Sequence, residues 1–209
     1  MKSYCTIYFV RHGLTDWNVL GKVQGHSDIP LNEKGKKQAE ELGEKLSNVN
    51  FYRVFSSDLI RAKQTAEIIA LEKKLVVKTT QALRERSFGR LEGIEWRKYQ
   101  KDLDSIWKKL EKLSQEDRKK HRLEKVEDNN QLMARFIPFI REVAISYPGK
   151  NILMVTHGGL LRAFLIHLGY GDDKSLPSGC IKNTAYIVID TDGVDFFIKK
   201  VEGVEKKDI

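Results

Sequence analysis

Two kinds of apolar spacing take turns along this chain. Short β-branched or aromatic runs end abruptly in polar residues, and stretches follow in which apolar residues return every three or four positions. The run Cys5-Thr6-Ile7-Tyr8-Phe9-Val10 stops at Arg11-His12-Gly13. A loop rich in Gly, Asn and Asp leads through Pro30-Leu31 to Asn32, the expected N-cap of a helix carrying Ala39, Leu42, Gly43 and Leu46 on one face. Tyr52-Arg53-Val54-Phe55-Ser56 precedes Ser57-Asp58, read as an N-cap pair, and a helical pattern from Leu59 to Leu71 with Arg61 in its first turn. A third strand is expected over Leu75 to Thr79, and a fourth at Asn151-Ile152-Leu153-Met154-Val155-Thr156. After the latter, His157-Gly158-Gly159 is predicted to be a tight turn whose glycines allow close backbone approach and unusual φ, before a helix from Leu160 to Leu168. Ala185 to Asp190 and Asp195 to Val201 flank the turn signal Thr191-Asp192-Gly193, which predicts a hairpin adding antiparallel pairing at a sheet edge. Repeated strand–helix units of this kind predict an α/β fold.

One segment breaks the pattern. From Glu95 to Asp128, Tyr99, Leu103, Ile106, Leu110 and Leu113 form a single apolar stripe on a Lys/Arg-rich helix. It reads as a stripe packed on the body, with a lid over a phosphorylated substrate as the second reading. A further helix, about Gln131 to Ser146, holds Pro138, which should kink it or mark a break. The 209 residues suit one domain, 1–209, with a helical insert at about 95–128.

Composition narrows the class. Charged residues are 32% and apolar residues 41% of the chain, the balance of a water-soluble globular protein. No apolar run approaches the ~20 residues of a membrane helix, so no membrane partner is expected. Two cysteines, Cys5 and Cys180, suggest neither a disulfide framework nor a thiolate zinc site, which fits a reducing cytoplasm. The net charge of +8 suits nucleic acid or small phosphorylated substrates equally. Because Lys and Arg are dispersed without interleaved aromatics, no nucleic-acid partner is expected. Nothing in the sequence indicates an oligomeric state.

The chemistry gathers at strand ends, where open α/β sheets bind ligands. Arg11 and His12 follow the first strand, Arg61 opens a helix after the second, and His157 follows the strand at 151–156. Cations and imidazoles without a companion carboxylate triad suit a phosphoryl group, whose oxygens arginine forks bind bidentately. The helix start near Arg61 and the turn at Gly158 would add backbone N–H donors. Neighbouring arginines lower an imidazole pKa by charge repulsion, so a histidine here can stay neutral and attack phosphorus. His12, rigidly placed beside Arg11, is the better nucleophile and His157 the better electrostatic donor. A departing alkoxide needs a proton, and Glu85, in the loop-like stretch Leu83 to Gly93, is the candidate. Its competing role is that of a surface partner for Arg84 or Arg86.

These residues carry a resemblance. Arg11-His12-Gly13 with Thr15, Trp17-Asn18, Gln24-Gly25, Asp28, Pro30-Leu31, Gly35 and Gln38-Ala39 forms a first block. Ser56-Ser57-Asp58-Leu59 with Arg61-Ala62 and Gln64-Thr65-Ala66 forms a second, Leu83-Arg84-Glu85 with Phe88-Gly89 and Glu92-Gly93 a third, and Thr156-His157-Gly158-Gly159 a fourth. In this order they resemble the histidine phosphatase superfamily, also called phosphoglycerate mutase-like. The resemblance implies a three-layer sandwich with a mostly parallel sheet flanked by helices, and a phosphohistidine intermediate. It matches His12 to the nucleophile, Arg11, Arg61 and His157 to the phosphate pocket, Glu85 to the proton donor, and Asn18 and Gln24 to substrate-binding loop positions. It implies no metal and no cofactor, and His26, His121 and His167 are read as ordinary loop or helix residues.

Departures choose a branch. Cofactor-dependent mutases usually carry Glu or Gln in place of Leu14, Gly-Trp in place of Gly25-His26, and His-Tyr-Gly in place of Ser87-Phe88-Gly89. The chain is more similar to the small phosphatases, except that Asp128-Asn129-Asn130 stands where Gly-Glu-Ser often precedes the late helix. The expectation is a metal-independent phosphomonoester hydrolase for small phosphorylated metabolites. The alternatives are a cofactor-dependent phosphoglycerate mutase or, behind it, a non-catalytic relative, which should have lost His12, Glu85 or a pocket arginine.

Overall fold

Val10 and Phe9 turn to opposite sides of the first strand, and both are fully buried. A strand apolar on both faces must lie inside a sheet covered on both sides. The computed structural model, which describes residues 3–71, 73–97 and 126–208, has that architecture. Strands β1 (Cys5–Arg11), β2 (Phe51–Ser57), β3 (Val77–Thr80), β4 (Asn151–Thr156), β5 (Ile181–Thr191) and β6 (Phe196–Val204) form one sheet in the order β3-β2-β4-β1-β5-β6. The first four are mutually parallel; β5 runs antiparallel to β1, and β6 antiparallel to β5.

Helices cover the two faces. They are α1 (Asp16–Val19), α2 (Glu33–Lys45), α3 (Ile60–Leu71), α4 (Asn129–Ser146) and α5 (Gly158–His167). On one face Ile7, Phe9, Ile152 and Met154 pack with Phe136 and Ile140 of α4 and Leu161 and Phe164 of α5. On the other, Val10, Leu153 and Val155 pack with Leu42 of α2 and Ala62, Ala66 and Ile69 of α3. Residues of odd and even number along β4 thus serve different cores, as the two-residue period of a strand requires.

The predicted elements are present with informative changes. Asn32 caps α2 through a 2.9 Å bond from Gly35 N–H to Oδ1. At the start of α3 the expected pair is half realised, Ser57 Oγ accepting the Leu59 N–H at 3.3 Å. The Asp58 carboxylate is taken by Arg84 at 2.7 and 2.6 Å, and Asp28 accepts the Ile60 N–H at 2.6 Å instead. Helix α4 begins earlier than expected and continues through Pro138, with Asp128 and Gln131 forming a capping box at its start. Gly158 and Gly159 are the first residues of α5, with His157 as its N-cap, and not a turn of unusual φ. Of the insert expected at 95–128, the apolar stripe from Tyr99 to Leu113 lies outside the described residues. Among the described residues no helix is long and apolar enough to cross a membrane.

Candidate active site

Pairing of β1 with β4 puts Arg11 opposite Thr156, and the His12 N–H donates to Thr156 O at 2.9 Å. His12 and His157 therefore leave adjacent strand ends side by side, with ring centroids 5.2 Å apart. Arg61 reaches the same point from the first turn of α3. It is fully buried, as is His157, and His12 is 3% exposed. All of them lie at one end of the sheet, and Arg11, His12 and Arg61 line a cleft of about 1400 Å³.

Each side chain is fixed by groups around it. His12 Nδ1 lies 2.7 Å from the Gly13 carbonyl, so Nδ1 carries the proton and Nε2 keeps its lone pair. Arg61 donates from Nη1 to Ser27 O at 2.8 Å and from Nη2 to Gly25 O at 2.7 Å. Arg11 donates from Nη1 to the Ile181 carbonyl. Thr65 ties α3 to the strand end, accepting the Gly13 N–H at 3.0 Å and donating to Arg61 O at 2.7 Å. Gly13 is required by close approach: a Cβ there would stand 2.4 Å from Gly35 O of α2.

What remains unpaired defines the ligand. Arg11 Nε, Arg61 Nε, Gln24 Oε1 and both ring nitrogens of His157 are buried without a partner. Leaving such groups unmet costs about 1–3 kcal/mol each, so several at this end of the sheet mark a place for a polar ligand. Burial, and then the charges of Arg61 and Arg11, hold the His12 imidazole well below its ordinary range. Burial and the Arg61 charge do the same to His157. Burial also pulls the Arg61 guanidinium down to about 10, which leaves it cationic at neutral pH. The pocket thus combines two cations with two neutral imidazoles, a set suited to a phosphate dianion.

Glu85 comes from a loop beside the start of α5. Its Oε2 accepts the Gly159 N–H at 2.9 Å and its Oε1 the Arg86 N–H at 2.8 Å. Of the two surface partners considered for Glu85, the Arg84 guanidinium is paired with Asp58, and that of Arg86 donates to Glu127 O at 2.9 Å and to Asn129 Oδ1. The glycines of α5 permit the contact. A Cβ on Gly159 would stand 2.5 Å from Glu85 Oε1, and one on Gly158 3.2 Å from Arg11 Nε.

Asn18 and Gln24 also line the cleft. Asn18 Oδ1 accepts from Thr15 N at 3.2 Å, Thr15 Oγ1 at 3.0 Å and Asn183 Nδ2 at 3.3 Å, which leaves the amide NH₂ as its free donor. Asn183 was not anticipated, and it also donates to His12 O at 3.1 Å. It lies in an irregular stretch of β5, so no periodic signal marks it. His26 is more than an ordinary loop residue: it lines the cleft, with Nε2 2.8 Å from the Glu85 carbonyl. Arg135, also missed, carried a readable sign. It stands three residues after Leu132 and one before Phe136, a cation within the apolar stripe of α4. Among the described residues no cluster of three or more His, Cys, Asp or Glu side chains is placed to hold a metal ion.

A doubly covered α/β sheet with a cationic, histidine-containing anion pocket at its strand ends, faced by a carboxyl group, defines an enzyme class that handles phosphate esters. The family model described as histidine phosphatase superfamily (branch 1) matches residues 7–202, and the chain belongs to that superfamily. A Bacillus subtilis protein described as uncharacterized phosphatase PhoE is 32% identical over 185 residues, covering 86% of this chain and 88% of its own. A metal-independent phosphoserine phosphatase of Arabidopsis thaliana is 35% identical over 167 residues, covering 78% of this chain and 68% of its own. Among solved structures, Bacillus stearothermophilus YhfR superposes with a TM-score of 0.80 at 28% identity, covering 96% of this chain and 97% of that one.

Proposed function

We propose that this protein is a metal-independent phosphomonoester hydrolase for small phosphorylated metabolites, working through a phosphohistidine on His12. The observation that carries the reading is the His12 imidazole: neutral, bonded through Nδ1 to Gly13 O, and set among buried donors that have no partner. In the first step His12 Nε2 forms a bond to phosphorus and the P–O bond to the alcohol breaks. Glu85 gives its proton to the departing oxygen, while Arg11, Arg61 and His157 hold the phosphoryl oxygens as charge spreads over them. Asn18, Gln24 and the Gly158 backbone complete substrate binding. In the second step the ionised Glu85 takes a proton from water, the new oxygen bonds to phosphorus, and the N–P bond breaks to release phosphate and restore His12.

A screen of phosphomonoesters with and without EDTA tests this reading, with a side assay for conversion of 3-phosphoglycerate to 2-phosphoglycerate. Expected are phosphate release that EDTA leaves unchanged and a base-stable, acid-labile phosphoenzyme in quenched samples. Efficient conversion of the phosphoglycerates with little hydrolysis would replace hydrolase by mutase.

A further inference from the structure

The loop that carries Glu85 has little regular structure, yet its backbone is gripped along its length. Arg135 reaches it from α4. Nη1 donates to Gln81 O at 3.2 Å and Ala82 O at 2.8 Å, and Nη2 to Arg84 O at 2.9 Å and Glu85 O at 3.0 Å. Its own position is set by the Glu127 carboxylate, which accepts from Nε at 2.8 Å and Nη2 at 2.9 Å. Glu127 continues the grip on the far side of Glu85. Its backbone carbonyl accepts from Arg86 Nη1 at 2.9 Å, its N–H donates to Ser87 O at 2.9 Å, and its carboxylate accepts the Ser87 N–H at 3.3 Å.

We propose that Arg135, held by Glu127, is the positioning residue that aims the Glu85 carboxyl at the leaving oxygen. The inference rests on Glu85 being the proton donor. Only a guanidinium suits the task, because four carbonyls in two directions need a planar fork of several N–H groups, which a lysine ammonium cannot copy. Among the described residues Arg135 makes no hydrogen bond to Arg11, His12, Arg61 or His157, so a substitution that keeps its charge acts on proton delivery and spares phosphate binding.

The test compares Arg135→Lys, Glu127→Gln and Glu85→Gln on two substrates: para-nitrophenyl phosphate and the best alkyl phosphate found in the screen. kcat/KM is the quantity to compare, since it reports steps up to departure of the alcohol, before water takes part. A nitrophenolate leaves without a proton; an alkoxide does not. Expected is a fall of about tenfold or more in the alkyl-to-aryl ratio of kcat/KM for Arg135→Lys, a smaller fall for Glu127→Gln, and the largest for Glu85→Gln. In Arg135→Lys and Glu127→Gln, inhibition by inorganic phosphate, which reports the phosphate pocket directly, stays at the wild-type value, and thermal unfolding confirms that each variant is folded. Equal losses on both esters, or none, in a folded Arg135→Lys protein would overturn the proposal. An unchanged ratio in Glu85→Gln would instead overturn the proton-donor reading, and this inference with it.

Discussion

Arg11, His12 and His157 stand at the ends of two paired parallel strands, whereas Glu85 hangs in a loop between two short 3₁₀ turns. The first group takes its spacing from the sheet ladder and the fully buried Ile7, Phe9, Val10 and Leu153 behind it. Glu85 is tied to α5 through the Gly159 N–H on its carboxylate and to the sheet through Thr156 on the Leu83 carbonyl, and the rest of its bracing comes from long side chains: Arg135 and His26 on its carbonyl and Glu127 on its neighbours. Closely packed cores resist displacement, and a braced loop is only as fixed as its braces. Phosphate binding should therefore be insensitive to changes around the rim, while proton delivery should respond to residues outside the group Arg11, His12, Arg61 and His157.

Replacing His12 breaks the comparison most severely. His12→Ala removes the only covalent route, and turnover of every ester should fall to near background. Undiminished hydrolysis of para-nitrophenyl phosphate would refute the nucleophile assignment. Next comes Glu85→Gln, for which a loss of about 10²–10⁴ in kcat/KM is expected on alkyl phosphates and little on the nitrophenyl ester. Arg61→Lys keeps a cation but loses the fork. At about 1.5–3 kcal/mol for a charged hydrogen bond, it should slow all esters by about 10- to 150-fold regardless of leaving group. Whether a loss depends on the leaving group thus separates the two halves of the site, and a leaving-group-dependent Arg61→Lys would erase the distinction.

The same division governs what could be read from the chain. Strand-end chemistry is legible because apolar runs stop sharply at Arg11-His12-Gly13 and at His157, and the strand period fixes which residues follow. The pairing of β1 with β4 is not legible, since it joins residues about 145 apart in sequence, as in the partners Thr6 and Asn151. Glu85 could be nominated but not placed, because a loop braced by side chains has no periodicity. For that reason Glu127 carries no signal and His26 reads as an ordinary loop residue, while Asn183 sits in the irregular stretch of β5 and Asp28 takes the capping role expected of Asp58. Arg135 was the exception that pattern could have found, as the one cation inside the α4 stripe Leu132, Phe136 and Ile140.

Acid should reveal the buried pair. His12 and His157 both have folded-state pKa values well below the ordinary 6.5. Below about pH 6.5 the unfolded chain takes up protons that the folded chain refuses, so stability is full above that pH and falls as pH drops toward the folded values. Each histidine contributes a slope of about 1.4 kcal/mol per pH unit in that window. Urea unfolding between pH 7 and 5.5 should show the decline, and His157→Gln should flatten it. An equal slope in that variant would mean that other groups carry the acid sensitivity.

The smallest effect tests the seam between the halves. Asp28 ends the loop whose Gly25 and Ser27 carbonyls hold Arg61, and its carboxylate caps α3 on the Ile60 N–H at 2.6 Å. Asp28→Ala leaves that N–H unmet and should cost about 1 kcal/mol, the usual loss for a helix cap. In a chain of this size the melting temperature should then fall by about 2–4 °C. Asp28→Asn keeps an acceptor oxygen and should recover most of the loss, which separates capping from charge. Because Arg61 is anchored by the carbonyls of that loop and not by the Asp28 carboxylate, the alkyl-to-aryl ratio of kcat/KM should stay at the wild-type value in both variants. A shifted ratio would show that the loop of residues 24–28 couples the phosphate pocket to Glu85 through His26, and the two halves would have to be treated as one.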